Sequence, residues 1–245
     1  MLLYNPEISM LKEQIQHRRR IIEMTHEAGA THIGSALSTV DLIDAVYRIK
    51  RQNEKFILSN GHAACALYAV LESNGYLTEA KVDKLGIHPE RNPLIDIEVS
   101  TGSLGQGLPI AVGIALGDRT KNTFCCVSDG ECAEGSIWEA VSIAVKYKLS
   151  NLKILVNANN YTGYDETNSE RLIDILRSFG CDVIDVDGHN IEELTEALTI
   201  DTDSPLVVFA RTNVDQLPFL SGLSAHYYKM TEEDYKLALE TWSKD

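Results

Sequence analysis

The chain has 245 residues, of which 44% are hydrophobic and 24% are charged, and these proportions exclude wholesale disorder, collagen and a minimal disulfide-stapled fold. Lysine and arginine number 22 against 36 aspartate and glutamate residues, which gives a formal net charge of −14. This acidity disfavours a protein that tracks nucleic-acid phosphates through basic patches, whereas a metal ion still allows a small phosphorylated ligand to bind.

The N-terminus and the cysteines predict a cytoplasmic protein. Residues 1–6 lack the basic and apolar regions of a signal peptide. The longest stretch without charged side chains, residues 99–117, is interrupted by glycines and polar residues, so it is not expected to span a bilayer. The five cysteines are odd in number and form no C-x-x-C pair, which is typical of a reducing compartment.

Helical periodicity alternates with short apolar runs along the whole chain. In chain order, the patterns first predict a helix at 7–28, a helix capped by Ser38 or Thr39 that runs through Tyr47, a strand at 56–59, a helix at 63–74 and a short helix at 78–85 capped by Thr78. A glycine-rich turn at 102–107 then leads into a helix at 108–116, which is followed by a strand at 123–127, a helix at 136–149 and a strand at 153–156. The last part of the chain is predicted to form helices near 171–179 and 190–199, which precede strands at 182–186 and 206–210, and a closing helix at 231–242.

This alternation predicts an α/β fold in which a parallel twisted sheet carries helices on both faces, with residues 1–245 forming a single domain. Ligands of such sheets bind at the carboxyl ends of the strands. The segments that follow strands are therefore the candidates for a site, namely residues 59–62, 128–134 and 157–165.

Two polar segments follow successive strands. Asp129 and Gly130 come directly after the strand at 123–127, and Asn159 follows the next strand. Because one crossover connects these strands, both side chains are expected to face the same crevice. A carboxylate and an amide oxygen are ligands for Mg²⁺ or Ca²⁺, and a glycine lets a phosphate approach the backbone. The pair therefore predicts a metal–diphosphate site.

This arrangement resembles the thiamine-diphosphate fingerprint, a Gly-Asp-Gly segment followed by a helix and an asparagine, in the form found in the transketolase family. Five blocks carry the resemblance in family order: Thr31-His32-Ile33-Gly34-Ser35, Ser59-Asn60-Gly61-His62-Ala63-Ala64, His88-Pro89-Glu90, Thr101-Gly102-Ser103-Leu104-Gly105-Gln106-Gly107, and the segment from Asp129 to Ala140. The resemblance covers roughly residues 7–188 and implies the diphosphate-binding, or PP, domain of the thiamine-diphosphate-binding fold.

The resemblance also implies roles for individual residues. The metal ligands would be Asp129, Asn159 and the backbone carbonyl of Tyr161. The remaining cofactor contacts would be His62, Gly102, Ser103, Leu104, Gly130 and Glu131. The catalytic residues would be His32, His62, His88 and Glu134, with His32 and His88 along the substrate channel and Glu134 in a carboxylate network across a subunit interface. A loose match places His226 near the site, whereas His17, His26 and His189 are interpreted as structural.

The family also implies a partner. The glutamate that activates the cofactor lies in a second, pyrimidine-binding domain, and nothing after Thr231 resembles that domain. The chain therefore resembles the N-terminal subunit of a split transketolase, which transfers a two-carbon ketol unit between sugars as an α₂β₂ assembly with a separate pyrimidine-binding subunit. The sequence departs from the family pattern in three places, and these departures favour a specialised donor or acceptor. Ser128 replaces the first glycine of the fingerprint, Cys65 stands where split relatives often carry proline, and the loop at 211–218 lacks the basic, glycine-rich character usual in transketolases.

Two alternatives stay open. The α-subunit of a 2-oxo acid dehydrogenase uses the same cofactor and has a similar Asn-Asn-Tyr segment, although the blocks around His32, His62 and His88 favour transketolase. A non-catalytic cofactor-binding subunit would keep the fold but would have lost catalytic activity. The presence of Asp129 and Asn159 disfavours such a loss. A dinucleotide site at 102–107 is discounted, because the glycine spacing there is not Gly-x-Gly-x-x-Gly.

Overall fold

The computed structural model describes residues 11–243, and the strands among them form one five-stranded sheet. Its strands are β1 (Lys55–Leu58), β2 (Thr123–Ser128), β3 (Leu152–Ala158), β4 (Asp182–Asp187) and β5 (Leu206–Arg211). Their hydrogen-bonded order is β1-β2-β3-β5-β4, and every neighbouring pair is parallel. The predicted parallel sheet is therefore confirmed.

Helices connect the strands. They are α1 (Lys12–Ala28), α2 (Ile33–Ile49), α3 (Ala64–Ser73), α4 (Val82–Leu85), α5 (Gly107–Gly117), α6 (Gly135–Lys146), α7 (Ser169–Phe179), α8 (Ile191–Leu198), α9 (Ser224–Tyr227) and α10 (Glu232–Thr241), with 3₁₀ turns at Gly61–Ala63, Pro93–Ile95 and Gly130–Ala133. Within residues 11–243, none of these helices is both long and apolar enough to cross a membrane.

Helices pack on both faces of the sheet, as the alternation predicts. Successive β2 side chains point to opposite faces, so that Phe124 and Cys126 join one buried apolar cluster and Cys125 and Val127 join the other. The first cluster lies beneath α1, α2, α3 and α8, and the second beneath α5, α6 and α7. All strand-end segments are thereby held at one edge of a sheet whose two faces are covered.

The predicted start of the second helix is wrong. Ser38 and Thr39 do not cap α2 but lie inside it, fully buried, and their hydroxyls donate hydrogen bonds to the carbonyl oxygen of Ser35 at 3.1 and 2.7 Å. The helix instead begins after His32, whose left-handed backbone (φ 65°) makes the turn. Because residues 33–47 are buried on all sides, the amphipathic periodicity that marks a helix start is missing.

Two further boundaries differ from the sequence patterns. Thr78 caps no helix, because the backbone N–H of Ala80 donates to the Glu72 carboxylate at 2.6 Å and holds the chain in a turn until α4 begins at Val82. The first helix is observed from Lys12, and the predicted residues 7–10 lie outside the described part of the chain. The other helix ends agree within a few residues, which is the usual uncertainty of helix termini.

A close backbone contact fixes α5 against the end of β1. A Cβ atom built on Gly107 would lie 2.5 Å from the Cβ and 2.6 Å from the Cα of Ser59, whereas one built on Gly113, in the same helix, would meet nothing within 4 Å. Gly107 also donates its N–H to the Ser59 hydroxyl at 3.1 Å. The glycine-rich turn is therefore pressed against the first strand end.

We expect Gly107→Ala to lower the free energy of unfolding by about 1–3 kcal/mol, because α5 must move away from backbone atoms of Ser59. The matched variant Gly113→Ala should raise it by up to about 1 kcal/mol through helix propensity alone. Urea unfolding of both variants measures the difference. Equal effects of the two substitutions would show that the contact at Gly107 does not constrain the fold.

Candidate active site

The ends of β2 and β3 bring the predicted metal ligands into one region. The two strands pair in parallel up to Ser128 and Asn157, and the N–H of Asp129 donates to the Asn157 carbonyl oxygen at 3.1 Å. Asp129 and Asn159 therefore follow neighbouring strands on the same edge of the sheet. The structure brings together these two residues, which lie 30 positions apart in the sequence.

The Asp129 carboxylate is buried without a basic partner. It is 1% exposed and accepts hydrogen bonds from the N–H groups of Gly130 and Asn160 and from the Thr167 hydroxyl, at 2.9, 2.8 and 2.6 Å. No lysine or arginine within residues 11–243 forms an ion pair with it. Burial raises the pKa of Asp129 to about 7, and a divalent cation beside the carboxylate would favour its ionised form.

A short loop after β3 completes this region. Asn159 is 6% exposed, and its side-chain oxygen accepts the N–H of Tyr161 at 3.0 Å. Asn160 adopts a left-handed conformation (φ 70°), and its carbonyl oxygen accepts the N–H of Thr167 at 2.9 Å, which closes the loop. The Cα of Thr162 would lie 3.2 Å from a Cβ built on Gly130. The loop at 160–167 therefore lies directly over Gly130, where a larger residue would not fit without movement.

A cavity of about 250 Å³ opens between these strand ends. Its lining includes nine of the sequence-predicted site residues: His32, His62, His88, Gly102, Leu104, Gly130, Glu134, Asn159 and Tyr161. Three others do not line it. Asp129 lies beneath the 160–167 loop, Ser103 is exposed to solvent, and Glu131 is fully buried behind the cavity wall. Position 102 requires glycine for two reasons: its backbone has φ 137°, and a Cβ there would lie 2.9 Å from the His88 ring.

Three imidazole rings meet at one wall of the cavity. The ring centroids of His32 and His226 are 4.6 Å apart, and that of His62 is 5.3 Å from each of the other two. Burial, aided by the neighbouring imidazoles, lowers the pKa of His32 to about 4 and that of His62 to about 3. Burial also lowers the pKa of His226. The wall therefore consists of neutral histidines, each with one nitrogen that donates and one that accepts.

These lowered pKa values predict a pH dependence of stability. Between about pH 3 and 6.5 the unfolded chain binds a proton at His62 that the folded chain does not, so His62 makes the fold less stable as the pH falls through this window. The raised pKa of Asp129 acts in the opposite direction. We therefore expect wild-type protein to lose more stability than His62→Gln between about pH 7 and 5, as measured by urea unfolding. Equal losses would contradict the lowered pKa.

The position of His226 was only loosely indicated by the sequence. It lies in α9, and its backbone carbonyl oxygen accepts the N–H of His32 at 3.0 Å. Sequence reasoning missed its neighbour Tyr227, which also lines the cavity, whereas the tip of the loop after β3 lies within the candidate segment 157–165. The only signal for Tyr227 was the Ser-Ala-His-Tyr segment itself, because α9 packs against residues almost 200 positions earlier in the chain.

Glu131 joins two strand ends and the glycine-rich turn. One of its carboxylate oxygens accepts the Ser59 hydroxyl and the N–H of Gly105 at 2.6 and 2.7 Å, and the other accepts the N–H of Ser128 at 3.0 Å. The side chain is fully buried, and burial raises its pKa. The cofactor contact predicted for Glu131 stays a prediction, whereas these hydrogen bonds make it a positioning residue for the cavity wall.

The three histidines that are interpreted as structural from the sequence, His17, His26 and His189, have packing or hydrogen-bonding partners. His17 contacts the Ser73 hydroxyl at 2.8 Å, and the ring of His26 stacks on Tyr235 at 4.1 Å. His189 contacts the buried Asp41 carboxylate at 2.8 Å and accepts the N–H of Asn213 at 3.1 Å. These contacts support a structural role for all three.

A larger cavity of about 820 Å³ shares Asn159 and Tyr161 with the first and extends toward β4 and β5. Its basic side chain, Arg211, is engaged by carboxylates of Asp185 and Glu170 at 2.8 and 2.7 Å. The positive charge of Arg211, at the start of the loop at 211–218, is thus neutralised by these two carboxylates. The histidines and glycines of the sequence-predicted site line the smaller cavity instead.

The oxygen atoms around Asp129 fit a hard metal ion. A carboxylate offers about four acceptor positions, of which three are taken by the hydrogen bonds described above. Asn159 and the carbonyl of Tyr161 would supply further oxygen ligands, the type that Mg²⁺ prefers. This set contains one acidic side chain, and residues 11–243 hold no cluster of three or more histidine, cysteine or acidic side chains arranged as a metal centre, so a zinc-type centre is not indicated there.

Comparison with known proteins agrees with this geometry. Residues 12–238 match the family described as "Transketolase, thiamine diphosphate binding domain". The chain is 34% identical to the transketolase of Pongo abelii over 78% of its own length but only 35% of that protein's. It is 30% identical to an apulose-4-phosphate transketolase subunit of Phocaeicola vulgatus over 94% of its own length and 92% of that relative's.

A solved structure shows the same architecture. The crystal structure of transketolase from Campylobacter jejuni superposes with a TM-score of 0.81 at 26% identity. The match covers 95% of this chain and 42% of the Campylobacter protein. The chain thus spans well under half the length of these full transketolases.

Proposed function

The chain belongs to the transketolase family, within its thiamine diphosphate-binding domain, and on this basis we propose that it is the diphosphate-binding subunit of a split transketolase. In this proposal it transfers a two-carbon ketol unit from a ketose to an aldehyde acceptor. One observation carries the proposal: a single cavity joins the diphosphate end of the site, at Gly130 and Asn159, to a wall of neutral histidines.

The residues of this chain would bind and orient the cofactor. Asp129, Asn159 and the carbonyl of Tyr161 would hold Mg²⁺, and Gly130 would allow the diphosphate to approach the backbone. Helix α6 begins at Gly135, next to the cavity-lining Glu134, and the N-terminus of a helix favours a nearby anion. Thiamine diphosphate, when bound, supplies the carbon nucleophile and electron sink that cleavage of a ketose carbon–carbon bond requires.

The histidines would handle the substrate oxygens. Because His32 and His62 are neutral near pH 7, each can donate a hydrogen bond to a carbonyl oxygen or accept one from a hydroxyl group. The Nδ1 atom of His32 is buried without a hydrogen-bond partner in residues 11–243. His88, whose ring lies against Gly102 in the lining of the same cavity, would contact the same substrate.

A separate pyrimidine-binding subunit would complete the site in an α₂β₂ assembly. The near full-length match to a protein that is itself named as one subunit of a transketolase supports this proposal. Glu134 is exposed at the rim of the cavity, where it would join a carboxylate network with the partner. A reducing, cytoplasmic location is supported by the five cysteines, all of which are buried and free.

Assay of the purified chain, both in isolation and mixed with a candidate pyrimidine-binding partner, tests the proposal. With Mg²⁺ and thiamine diphosphate, we expect ketol transfer to require both subunits and to be lost with His62→Ala. Enzyme-like turnover by the chain alone would contradict the split assembly. Weak transfer from xylulose 5-phosphate to ribose 5-phosphate is expected, since the loop at 211–218 favours specialised substrates, and robust transfer would contradict that specialisation.

The same preparation separates the alternatives. Decarboxylation of 2-oxo acids with an artificial electron acceptor, in the absence of ketol transfer, would indicate the dehydrogenase function instead. Calorimetric binding of thiamine diphosphate with no turnover of either substrate class would indicate a non-catalytic subunit. Ketol transfer without 2-oxo acid oxidation is the outcome that we expect.

A further inference from the structure

Tyr227 projects over the histidine wall from a fixed position. The short helix α9 is fastened to α2, because Ala225 is buried and its Cβ would lie 3.0 Å from a Cβ built on Gly34. The hydrogen bond between the carbonyl oxygen of His226 and the N–H of His32 adds a second anchor. The Tyr227 side chain therefore extends from a rigid turn, although it is 63% exposed.

The Tyr227 ring lies beside the histidine wall, close to the loop after β3. Its centroid lies 4.6 Å from that of His226 and 5.8 Å from that of His32. Its hydroxyl oxygen would lie 3.1 Å from a Cβ built on Gly163, in the loop at 160–167, and the His226 Nε2 atom would lie 3.3 Å from the same point. The ring is thus placed where the histidine wall meets the loop that lies over Gly130.

The chemistry of Tyr227 points to a steric and packing role. Its hydroxyl makes no hydrogen bond to any part of the chain that the structure describes, so no polar contact fixes the ring. An exposed aromatic ring beside neutral imidazoles can pack against the C–H groups of a polyhydroxylated chain. A substrate that extends past His32 and His226 must pass or displace this ring.

We propose that Tyr227 is a specificity-determining residue that limits the length of the sugar chain accommodated beyond the three histidines. This inference rests on the proposed ketol transfer and assigns the same cavity a selectivity for short acceptors. The ring would pack against a two- or three-carbon aldehyde, whereas a five-carbon chain would collide with it.

The test compares acceptors of different length with the assembled enzyme, which contains the partner subunit, Mg²⁺ and thiamine diphosphate. The measured quantity is the ratio of kcat/KM for ribose to kcat/KM for glycolaldehyde. We expect Tyr227→Ala to raise this ratio at least tenfold, since removal of a side chain from a substrate pocket changes discrimination by roughly this factor or more. Tyr227→Phe, which keeps the ring, should leave the ratio within about twofold, and Tyr227→Trp should lower it.

Tyr147→Ala is the matched control, because this tyrosine is also exposed but follows the far end of α6 and does not line the cavity. Its ratio should equal that of the wild type. An unchanged ratio in both Tyr227→Ala and Tyr227→Trp, with an active wild type, would overturn this inference alone. A wild-type assembly that transfers no ketol unit would overturn the proposed function, and this inference with it.

Discussion

Asp129→Asn is expected to weaken Mg²⁺-dependent binding of thiamine diphosphate by about 100-fold or more, because the cation loses its only carboxylate ligand from this region. Isothermal calorimetry of the chain with its partner, at fixed Mg²⁺ concentration, measures the change. Asp165→Asn is the matched control, since Asp165 lies in the loop at 160–167 that covers Asp129, is exposed, and uses its carboxylate only to accept the N–H of Glu166. The control should bind the cofactor as wild type does.

The same substitution should not destabilise the metal-free protein. The pKa of Asp129 is raised to about 7 from an ordinary value of 3.8, so ionisation of this carboxyl makes the fold less stable as the pH rises through that interval. An uncharged asparagine removes this penalty. We therefore expect an equal or higher Tm for metal-free Asp129→Asn at about pH 8. Retained cofactor affinity, or a collapse of stability without metal, would contradict the assigned role.

Glu131→Ala is expected to lower the free energy of unfolding by about 3 kcal/mol, because three donors lose an ionic acceptor at a buried position. Those donors are the Ser59 hydroxyl and the N–H groups of Gly105 and Ser128. The loss per bond to a charged group, about 1.5–3 kcal/mol, is offset in part by relief of the buried charge. Urea unfolding of the metal-free chain measures the effect.

Two comparisons sharpen this prediction. Glu131→Gln should cost less than Glu131→Ala, since its amide oxygen still accepts two bonds while its amide nitrogen faces the Ser128 donor. Glu139→Ala, at an exposed position of α6, should change stability by no more than about 0.5 kcal/mol. If Glu131→Ala were no more destabilising than Glu139→Ala, Glu131 would not hold the strand ends together.

Elements that depend on local sequence were predictable. Strands β2 and β3 are continuous apolar runs in the sequence, and one helix connects them, so a parallel crossover was the expected geometry. That geometry alone places Asp129 beside Asn159. The resemblance to transketolases then supplied the histidines, because His32, His62 and His88 each lie in a short, recognisable block.

Contacts between distant segments were not predictable. The start of α2 was placed too late because a helix buried on every side has no polar face to mark its limits. Tyr227 reaches Gly163 only after α9 docks on Gly34, and no local pattern encodes that contact. The hydrogen-bond donors to Glu131 likewise depend on where Ser59 and Gly105 are placed by the finished sheet.

Anomalous diffraction from crystals grown with Mn²⁺ and thiamine diphosphate would show whether Asp129 and Asn159 hold the metal. Mn²⁺ replaces Mg²⁺ at oxygen sites and scatters strongly enough to be located on its own. We predict one anomalous peak in contact with a carboxylate oxygen of Asp129, the side-chain oxygen of Asn159 and the diphosphate. A diphosphate bound elsewhere, or a peak remote from these two side chains, would contradict the assignment.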